Sequence, residues 1–393
     1  MFDDGVADEW APFALTRPCG ELRFGRWRLR ERIERISGLS VAGHLTRPWL
    51  GRFAEPGAAP VVELPDLGPV PRIYWCSRAV LDLAASLSAR AANLWLDGRL
   101  AGAALAADAD PPDRSWLAAP TPLPGLDDVE LDGEWLEHAW DLVVHGASRL
   151  GADLGVSLPD AGADLPAGVW RLGTAPLVVG PGAEIEPGVL LDTRRGPIEL
   201  GPDVSVQGGA RLAGPLFAGH RSRLLGGSMS AVSAGPYSFL RGEIEEATVI
   251  GCANKAHDGF LGHAYLGSWV NLGAMTTNSD LKNNYGAIRV GPPGAEVDTG
   301  VIKLGCLIGD HAKTGIGTLL TTGTIVGAGS ALFGSDMPPR WIPPFSWGTG
   351  ADLATHRRDD FRGTAETVMT RRGLAVGDDT RAYLEAIWEA GAG

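Results

Sequence analysis

The chain has 393 residues, enough for two domains, and its 45% of hydrophobic residues argue against disorder, while 55 glycines and 28 prolines exclude a mainly helical fold. A formal net charge of −13 excludes a basic surface for nucleic acid or an anionic membrane. Because the four cysteines form no CxxC pair, no signal-like segment opens the chain and no apolar run has membrane-spanning length, we expect a cytoplasmic protein without membrane insertion.

The first segment predicts a strand, a loop and a helix. An apolar start leads to Asp3 and Asp4, and a loop marked by proline and threonine follows. Apolar residues from Trp27 to Ile36 then recur at helical spacing, and Gly38 ends the helix. We therefore expect an α/β domain to begin here.

Arginines are concentrated in this segment, and we interpret them in two groups. Arg28, Arg30 and Arg32 alternate along the helix, which is typical of a solvated outer face, with a phosphate site as the alternative. Arg17 and Arg23 lie in the loop and at the helix entry, where a nucleotide phosphate can meet guanidinium and backbone N–H groups together.

Residues 39–132 predict a small α/β layer. Short strands are expected at 61–64, 73–75 and 93–96, and Asp97-Gly98 predicts a hairpin turn. An amphipathic helix is expected from 135 to 150 as the connector between domains. A segment with proline and glycine at 151–168 leads out of this layer.

A six-residue repeat dominates the second half of the chain. A parallel β-helix produces this spacing, because each short strand of a coil contributes one inward aliphatic residue per hexad and tight corners favour Gly or Asn. Helical spacers that a doubly wound sheet requires are absent from 177 to 335. The best-spaced positions are Ile302, Ile308, Thr314, Leu320, Val326 and Leu332, and Val179, Ile185 and Leu191 show the same step earlier.

Two further features complete the organisation. The stretch 251–290 joins the repeat to polar groups that a purely structural repeat does not need, so we expect the active site there. Residues 351–393 predict one or two helices with Tyr383, Ile387 and Trp388 buried, which would cap the β-helix.

The stretch NKAHDGFLGHAYLGSWVNLGAMTTNSDLKNNYG resembles the acetyltransferase half of the bifunctional N-acetylglucosamine-1-phosphate uridyltransferase/glucosamine-1-phosphate acetyltransferase family. The opening FDD…LTRPCGELRFGRWRLRE, with GDHAKTGIGT and PPFSWG, is similar to sugar nucleotidyltransferases built on the same plan. The resemblance implies an N-terminal nucleotidyltransferase-like α/β domain (1–165), a left-handed β-helix (166–350) that binds acyl-CoA, with acetyl-CoA expected, and a helical tail (351–393). Such proteins are usually trimers, so we expect a homotrimer.

The resemblance assigns roles to residues of the β-helix. His257 occupies the position of the catalytic base, and Asn271 that of an acceptor-sugar contact. Phe260 replaces a sugar-contacting Tyr, which removes a hydroxyl from the expected acceptor site. Further substrate contacts are expected at Lys282, Asn284, Tyr285, Asp310 and His311.

The chemistry expected of His257 follows from acyl transfer itself. Attack on a thioester needs an amine or hydroxyl that loses its proton, and imidazole titrates near neutral pH. His263 is the alternative base, and a metal site formed by these histidines with Asp310 and His311 lacks supporting spacing, so any metal ligands remain unassigned. Lys303 and Lys313 can pair with CoA phosphates or be plain surface lysines.

The N-terminal loop has few glycines for a triphosphate cradle. Nucleotide binding is expected from Asp3 and Asp4, as metal or base contacts, and from Thr16, Arg17 and Arg23, as phosphate contacts, with Mg²⁺ and a nucleoside triphosphate if the site is active. Three functions are open: a two-activity transferase on a sugar phosphate or nucleotide sugar, a single-activity enzyme with an inert N-terminal domain, or a trimerising scaffold.

Overall fold

A computed structural model describes residues 1–64, 70–87, 90–159 and 164–392. An α/β region is followed by a parallel β-helix and two terminal helices, which confirms the predicted fold class. Part of the predicted 151–168 segment, residues 160–163, lies outside the described residues.

The α/β region is built on a four-stranded sheet. Its strands lie in the order β3 (Arg72–Trp75), β6 (Arg99–Leu105), β5 (Ala92–Leu96) and β7 (Asp127–Leu131). Asp97 and Gly98 both have positive φ, 51° and 67°, which forms the predicted hairpin turn between β5 and β6. The elements are β1 (Arg23–Phe24), β2 (Trp27–Arg28), α1 (Leu29–Ser37), β3 (Arg72–Trp75), β4 (Ala79–Leu81), β5 (Ala92–Leu96), β6 (Arg99–Leu105), α2 (Arg114–Ala118), β7 (Asp127–Leu131), β8 (Gly133–Trp135), α3 (Asp141–Val144) and α4 (Gly146–Ser157).

Three details of this region differ from the sequence expectation. Val61 forms an isolated bridge to His44 rather than a strand, and Trp135 ends a strand, so the connector helix begins later than predicted. Arg28, Arg30 and Arg32 are buried instead of solvated, and for the first two the reason lies in Glu21, which accepts hydrogen bonds from Arg28 at 3.0 Å and from Arg30 at 2.6 Å. The charged side chains of this helix face thus form an internal ion-pair network.

Arg32, the third of these arginines, is buried against Asp153 of α4 at 2.5 Å. His44 also bonds Glu21, at 2.9 Å. Although burial raises it, the pKa of Glu21 is lowered overall by His44 and by the arginines of α1. Removing one partner of such a buried ion pair strongly destabilises a fold, because the other charge is left buried and unpaired.

The β-helix is formed by short strands that pair in parallel with the strands one coil away, while β24–β25 and β32–β33 pair antiparallel. Its strands are β9 (Trp170–Leu172), β10 (Leu177–Val179), β11 (Glu184–Ile185), β12 (Leu190–Asp192), β13 (Ile198–Leu200), β14 (Ser205–Val206), β15 (Ala210–Ala218), β16 (Arg223–Ala234), β17 (Phe239–Glu245), β18 (Thr248–Val249), β19 (Asn254–Lys255), β20 (Phe260–Gly262), β21 (Tyr265–Leu266), β22 (Asn271–Leu272), β23 (Thr277–Asn278), β24 (Arg289–Val290), β25 (Val297–Asp298), β26 (Cys306–Ile308), β27 (Lys313–Thr314), β28 (Leu319–Leu320), β29 (Thr324–Val326), β30 (Ala331–Leu332), β31 (Trp341–Ile342), β32 (Ser346–Thr349) and β33 (Asp352–Thr355).

The hexad prediction holds for the core of the β-helix. Ile308, Leu320, Val326 and Leu332 are buried in one apolar cluster, where each aliphatic side chain contributes about 1.5–3 kcal/mol. Ile302 is the exception: it is 51% exposed, because it lies in the loop 279–305 that interrupts the coils.

One corner of the β-helix carries large residues with positive φ where Gly or Asn is expected. Tyr237, Trp269 and His311 have φ of 58°, 65° and 60°. The terminal helices α5 (Arg358–Arg371) and α6 (Asp378–Gly391) cover this corner, with the Phe361 ring 5.8 Å from that of His311. The tail therefore packs along the side of the coils instead of capping an end.

The predicted buried stripe of α6 is present. Tyr383 and Ile387 are buried, and Trp388 packs against the same cluster. The Tyr383 hydroxyl donates to the backbone oxygen of Thr16, and the Trp388 indole donates to His356 O at 2.9 Å. The tail thus joins the N-terminal loop to the last coils of the β-helix.

Candidate functional site

His257 lies at an exposed corner between β19 and β20. Among the described residues its imidazole has no hydrogen-bond partner, so both ring nitrogens are available to a substrate. Asp258, the next residue in the chain, accepts a hydrogen bond from Arg241 Nε at 3.1 Å and does not orient this imidazole. Within the described residues, no carboxylate therefore holds the imidazole of His257 in place.

Lys255 supports this corner from inside the β-helix, and the sequence analysis missed it. The side chain is 2% exposed, and its Nζ donates to Arg241 O at 2.8 Å and to His257 O at 3.0 Å. Burial lowers the pKa of Lys255 to about 8. The signal was present in the sequence, because Lys255 stands one hexad before Leu261, where the repeat calls for an aliphatic residue.

Asn271 and Lys313 lie on one outward face of the β-helix. Asn271 pairs with Lys313 one coil away in the strand register, and it accepts a hydrogen bond from Asn254 Nδ2 at 2.7 Å. Burial lowers the pKa of Lys313 to about 8. The structure thus brings together a residue predicted to bind acceptor and one predicted to bind CoA phosphate.

His263 is engaged by two carboxylates. Its Nδ1 lies 2.7 Å from Asp280 Oδ2 and its Nε2 lies 3.4 Å from Glu246 Oε2. Burial lowers the pKa of His263, but Glu246 and Asp280 together raise it above its usual value. An imidazole whose two nitrogens both face carboxylates is poorly placed to take a proton from a substrate, which leaves the exposed His257 as the better candidate.

The remaining β-helix candidates lie in the loop 279–305. Lys282 Nζ donates to Ala287 O at 2.5 Å, whereas Asn284 and Tyr285 are exposed at the tip of a turn. Lys303 is exposed next to a bridge with Leu281. These four residues share one loop, which leaves the coils at the corner of His263.

Asp310 forms a buried network with the N-terminal loop. Its Oδ2 accepts from Thr16 Oγ1 at 2.6 Å and from Arg17 Nε at 2.8 Å, and its Oδ1 accepts from Ser268 N at 2.6 Å. The other Arg17 nitrogens donate to Glu55 at 3.1 and 2.9 Å. Residues predicted for nucleotide and for acyl acceptor thus bind one another, and the guanidinium of Arg17 is fully engaged.

His311 is buried beside this network. Its ring stacks on Trp269 with centroids 6.2 Å apart. Burial, with the charges of Lys313 and Arg17, lowers the pKa of His311 well below its usual value, so the imidazole is neutral. Its position behind α5 indicates a packing role.

Asp3 and Asp4 do not fit a Mg²⁺ ligand set. Asp3 accepts from the hydroxyls of Ser77 and Thr46, both at 2.6 Å, and lies 3.0 Å from Arg47. Asp4 accepts from Arg78 Nε at 2.8 Å and Nη2 at 2.6 Å. Because guanidinium and hydroxyl donors already occupy these oxygens, we derive no metal-dependent step from them.

Arg23 is also buried inside the protein. Its backbone N–H donates to the Tyr265 hydroxyl at 2.7 Å, and its guanidinium lies 5.3 Å from the Phe217 ring centroid. Burial lowers the pKa of Arg23 to about 10. Like Thr16 and Arg17, it connects the N-terminal loop to the β-helix.

No group of three or more His, Cys, Asp or Glu side chains suited to a metal ion occurs in the described part of the chain. Within the same ranges, no helix is both long and apolar enough to cross a bilayer.

Comparisons with known proteins follow the same division of the chain. Residues 1–157 match the family model for sugar nucleotidyl transferases. A bifunctional sugar-1-phosphate nucleotidylyltransferase/acetyltransferase of Sulfurisphaera tokodaii is 28% identical over 91 residues, which are 23% of this chain and 23% of that relative.

Among solved structures, the Arabidopsis UDP-N-acetylglucosamine acyltransferase is similar over 53% of this chain and 73% of its own, with 12% identity and a TM-score of 0.27. The family match and the relative fit the resemblance that the sequence predicts. The chain thus joins residues 1–157, which match the family model for sugar nucleotidyl transferases, to a parallel β-helix.

Proposed function

We propose that the β-helix transfers an acyl group from acyl-CoA, with acetyl-CoA as the expected donor, to a sugar phosphate or nucleotide sugar. The observation that carries the proposal is the exposed imidazole of His257, which has no hydrogen-bond partner among the described residues, while Lys255 holds its corner from inside. The sugar nucleotidyl transferase match and the bifunctional relative support a sugar-related substrate.

The proposed reaction needs one proton acceptor. The acceptor's amine or hydroxyl attacks the thioester carbonyl carbon, and its proton passes to a ring nitrogen of His257 as the new C–N or C–O bond forms. The C–S bond then breaks, and the sulfur leaves as the thiol after receiving that proton. Asn271, on the outward face one turn further along the chain, is the residue that would contact the acceptor.

Assembly into a homotrimer is part of the proposal. Phe217 lies under the guanidinium of Arg23 and Trp269 is buried within the chain, whereas Trp347 is 49% exposed. Exposed apolar side chains also follow the corner beyond His257, at Met275 and Ile316. A second copy of the chain covering this corner would bury them close to the proposed site.

The test is CoA release by the full chain with acyl-CoA and a panel of sugar phosphates and nucleotide sugars. His257→Gln is expected to lower the rate by about 10²–10⁴ without loss of folded protein, because the side chain is exposed. His138→Gln, an exposed histidine of the α/β region, is the matched control and should keep the wild-type rate. A His257→Gln protein with wild-type activity would refute the assignment and favour the scaffold.

A second candidate function is nucleotidyl transfer by the N-terminal region, which the family match over residues 1–157 favours. A cavity of about 130 Å³ lined by Asp3, Asp8, Thr46 and Arg47 is the candidate place. Phosphate binding by Thr16, Arg17 and Arg23 stays a prediction that would require their buried contacts to rearrange. Pyrophosphate release from nucleoside triphosphate, Mg²⁺ and a sugar 1-phosphate tests this function, and its absence across the panel would leave one activity.

A further inference from the structure

A cavity of about 580 Å³ lies between helix α5 and the outward face of the β-helix. Four cationic side chains line it: Arg223 and Lys313 from the coils and Arg371 and Arg372 from the helix end. No carboxylate lines the cavity. In a chain with a formal net charge of −13, this concentration of positive charge is unusual.

These cations have no ion-pair partner in the ranges that the structure describes. Burial lowers the pKa of Arg372, and the charges of Arg223 and Arg371 act in the same direction, while Cys252 opposes them. Arg223 and Arg371 are exposed at the edge of the cavity, whereas Arg372 and Lys313 are half-buried in its wall. Four cations that converge without a carboxylate among the described residues create a positive local potential that attracts anions. The cluster therefore indicates a missing negative charge.

Three of the four cations, Arg223, Arg372 and Lys313, are held by contacts with the protein. The guanidinium carbons of Arg372 and Arg223 lie 3.9 and 5.0 Å from the centroid of the Phe239 ring. Arg372 also donates to Tyr237 O at 3.3 Å, and Lys313 Nζ to Trp269 O at 3.4 Å. A ligand would thus meet a preformed set of donors.

Uncharged donors in the same cavity also lack partners. The indole N–H of Trp269 is buried and has no acceptor, although Trp269 is only 2% exposed. Asn271 uses its amide oxygen to accept from Asn254, which leaves its amide N–H groups free to donate. A buried N–H without an acceptor costs about 1–3 kcal/mol, so a bound acceptor would stabilise this wall.

We propose that this cavity binds a small ligand through a pyrophosphate group. Four cations exceed the charge of one phosphate, the volume is that of an ordinary small-molecule site, and guanidinium groups match phosphate oxygens in pairs. The group can belong to free pyrophosphate or to a nucleoside diphosphate. The cavity shares Asn271 and Lys313 with the residues expected to contact the acceptor and acyl-CoA, but anion binding there needs neither His257 nor a reaction, so its test can fail independently of the proposed acyl transfer.

Calorimetric titration of the full chain with inorganic pyrophosphate, ADP and UDP at low salt tests the site, with citrate as a non-phosphate polyanion. Pyrophosphate should bind, and its affinity should fall as salt is raised. Tighter binding of either nucleotide assigns the group to a nucleoside diphosphate, and binding no tighter than pyrophosphate assigns it to the free anion. Citrate binding as tight as pyrophosphate would overturn the ligand class.

Two cavity variants and one control make the test specific. Lys313→Met and Arg372→Met should each raise the pyrophosphate Kd about 10-fold or more. Arg358→Met removes an arginine from the start of the same helix and should leave the Kd unchanged. Melting curves identify a variant that fails to fold, and the other variant then decides. No binding of any phosphate ligand at millimolar concentration, or equal Kd in wild type and both variants, would overturn the proposal.

Discussion

The buried side chain of Lys255 leads to a prediction about how the stability of the β-helix depends on pH. Its ammonium is buried inside the β-helix, and among the described residues its hydrogen-bond acceptors are the carbonyl oxygens of Arg241 and His257. Burial lowers its pKa from the ordinary 10.5 to about 8, and the nearby Asp258 opposes this change. The charged form is therefore less stable in the folded protein than in the unfolded chain.

The direction of the pH dependence follows from these two pKa values. Between pH 8 and about 10.5 the unfolded chain still holds the Lys255 proton and the folded protein has lost it, so the folded state gains stability as pH rises. One pKa unit corresponds to about 1.4 kcal/mol, and the whole shift to about 3 kcal/mol. Below pH 8 the full cost of the buried charge is present.

Lys255→Met isolates this effect, because methionine fills similar space without a charge. The free energy of unfolding, measured by urea denaturation from pH 7 to 10, should rise for wild type relative to the variant by roughly 2–3 kcal/mol. Lys303→Met, at an exposed position, controls for the loss of one positive charge. A difference between wild type and Lys255→Met that stays constant over this range would refute the buried charge.

Other variants test the remaining parts of the structure. Arg17→Met leaves Glu55 and Asp310 buried without their cation and should lower the free energy of unfolding by about 3–5 kcal/mol in urea denaturation, whereas Arg52→Met, from an exposed pair with Asp379, should change it by less than about 1 kcal/mol. Leu272→Ala removes a buried hexad side chain, and the same measurement should show a loss of about 2–5 kcal/mol. Ile316→Lys should convert the proposed trimer to a monomer, as measured by light scattering. The melting temperature should not fall, because Ile316 is exposed in the single chain. A wild-type protein that is monomeric at micromolar concentration would contradict the assembly.

The fold was predictable because its signal is local. A hexad repeat requires only that residues six apart face the same way, and Val326 and Leu332 are buried as that rule demands. Ile302 fails for an equally physical reason, since spacing alone does not reveal that the coil is interrupted by the loop 279–305. Lys255 is the opposite case. Its hexad position predicts an inward side chain, but a lysine is not expected in an apolar core, so the position was not recognised.

The charged residues were harder to interpret because their partners are distant in sequence. Arg32 on α1 resembles a surface residue until Asp153, 121 positions away, is placed against it. Arg17 and Asp310 are 293 positions apart. The sequence therefore led to separate predictions, nucleotide binding for Arg17 and substrate binding for Asp310, and did not indicate that they bind each other. Long-range ion pairs have no periodicity, which is why resemblance and propensity could not find them.

The Arg17 network also bears on how the N-terminal region can act. Thr16 binds the β-helix through Asp310 and the tail through Tyr383, so the loop predicted to hold phosphate is the junction of three parts of the chain. A nucleotide that took Arg17 from Glu55 and Asp310 would leave both carboxylates buried and unpaired, at a cost of about 3–5 kcal/mol that its phosphate contacts would first have to offset. If residues 1–157 bind nucleotide, we therefore expect the phosphate at the side of Arg47, with the Arg17 junction intact.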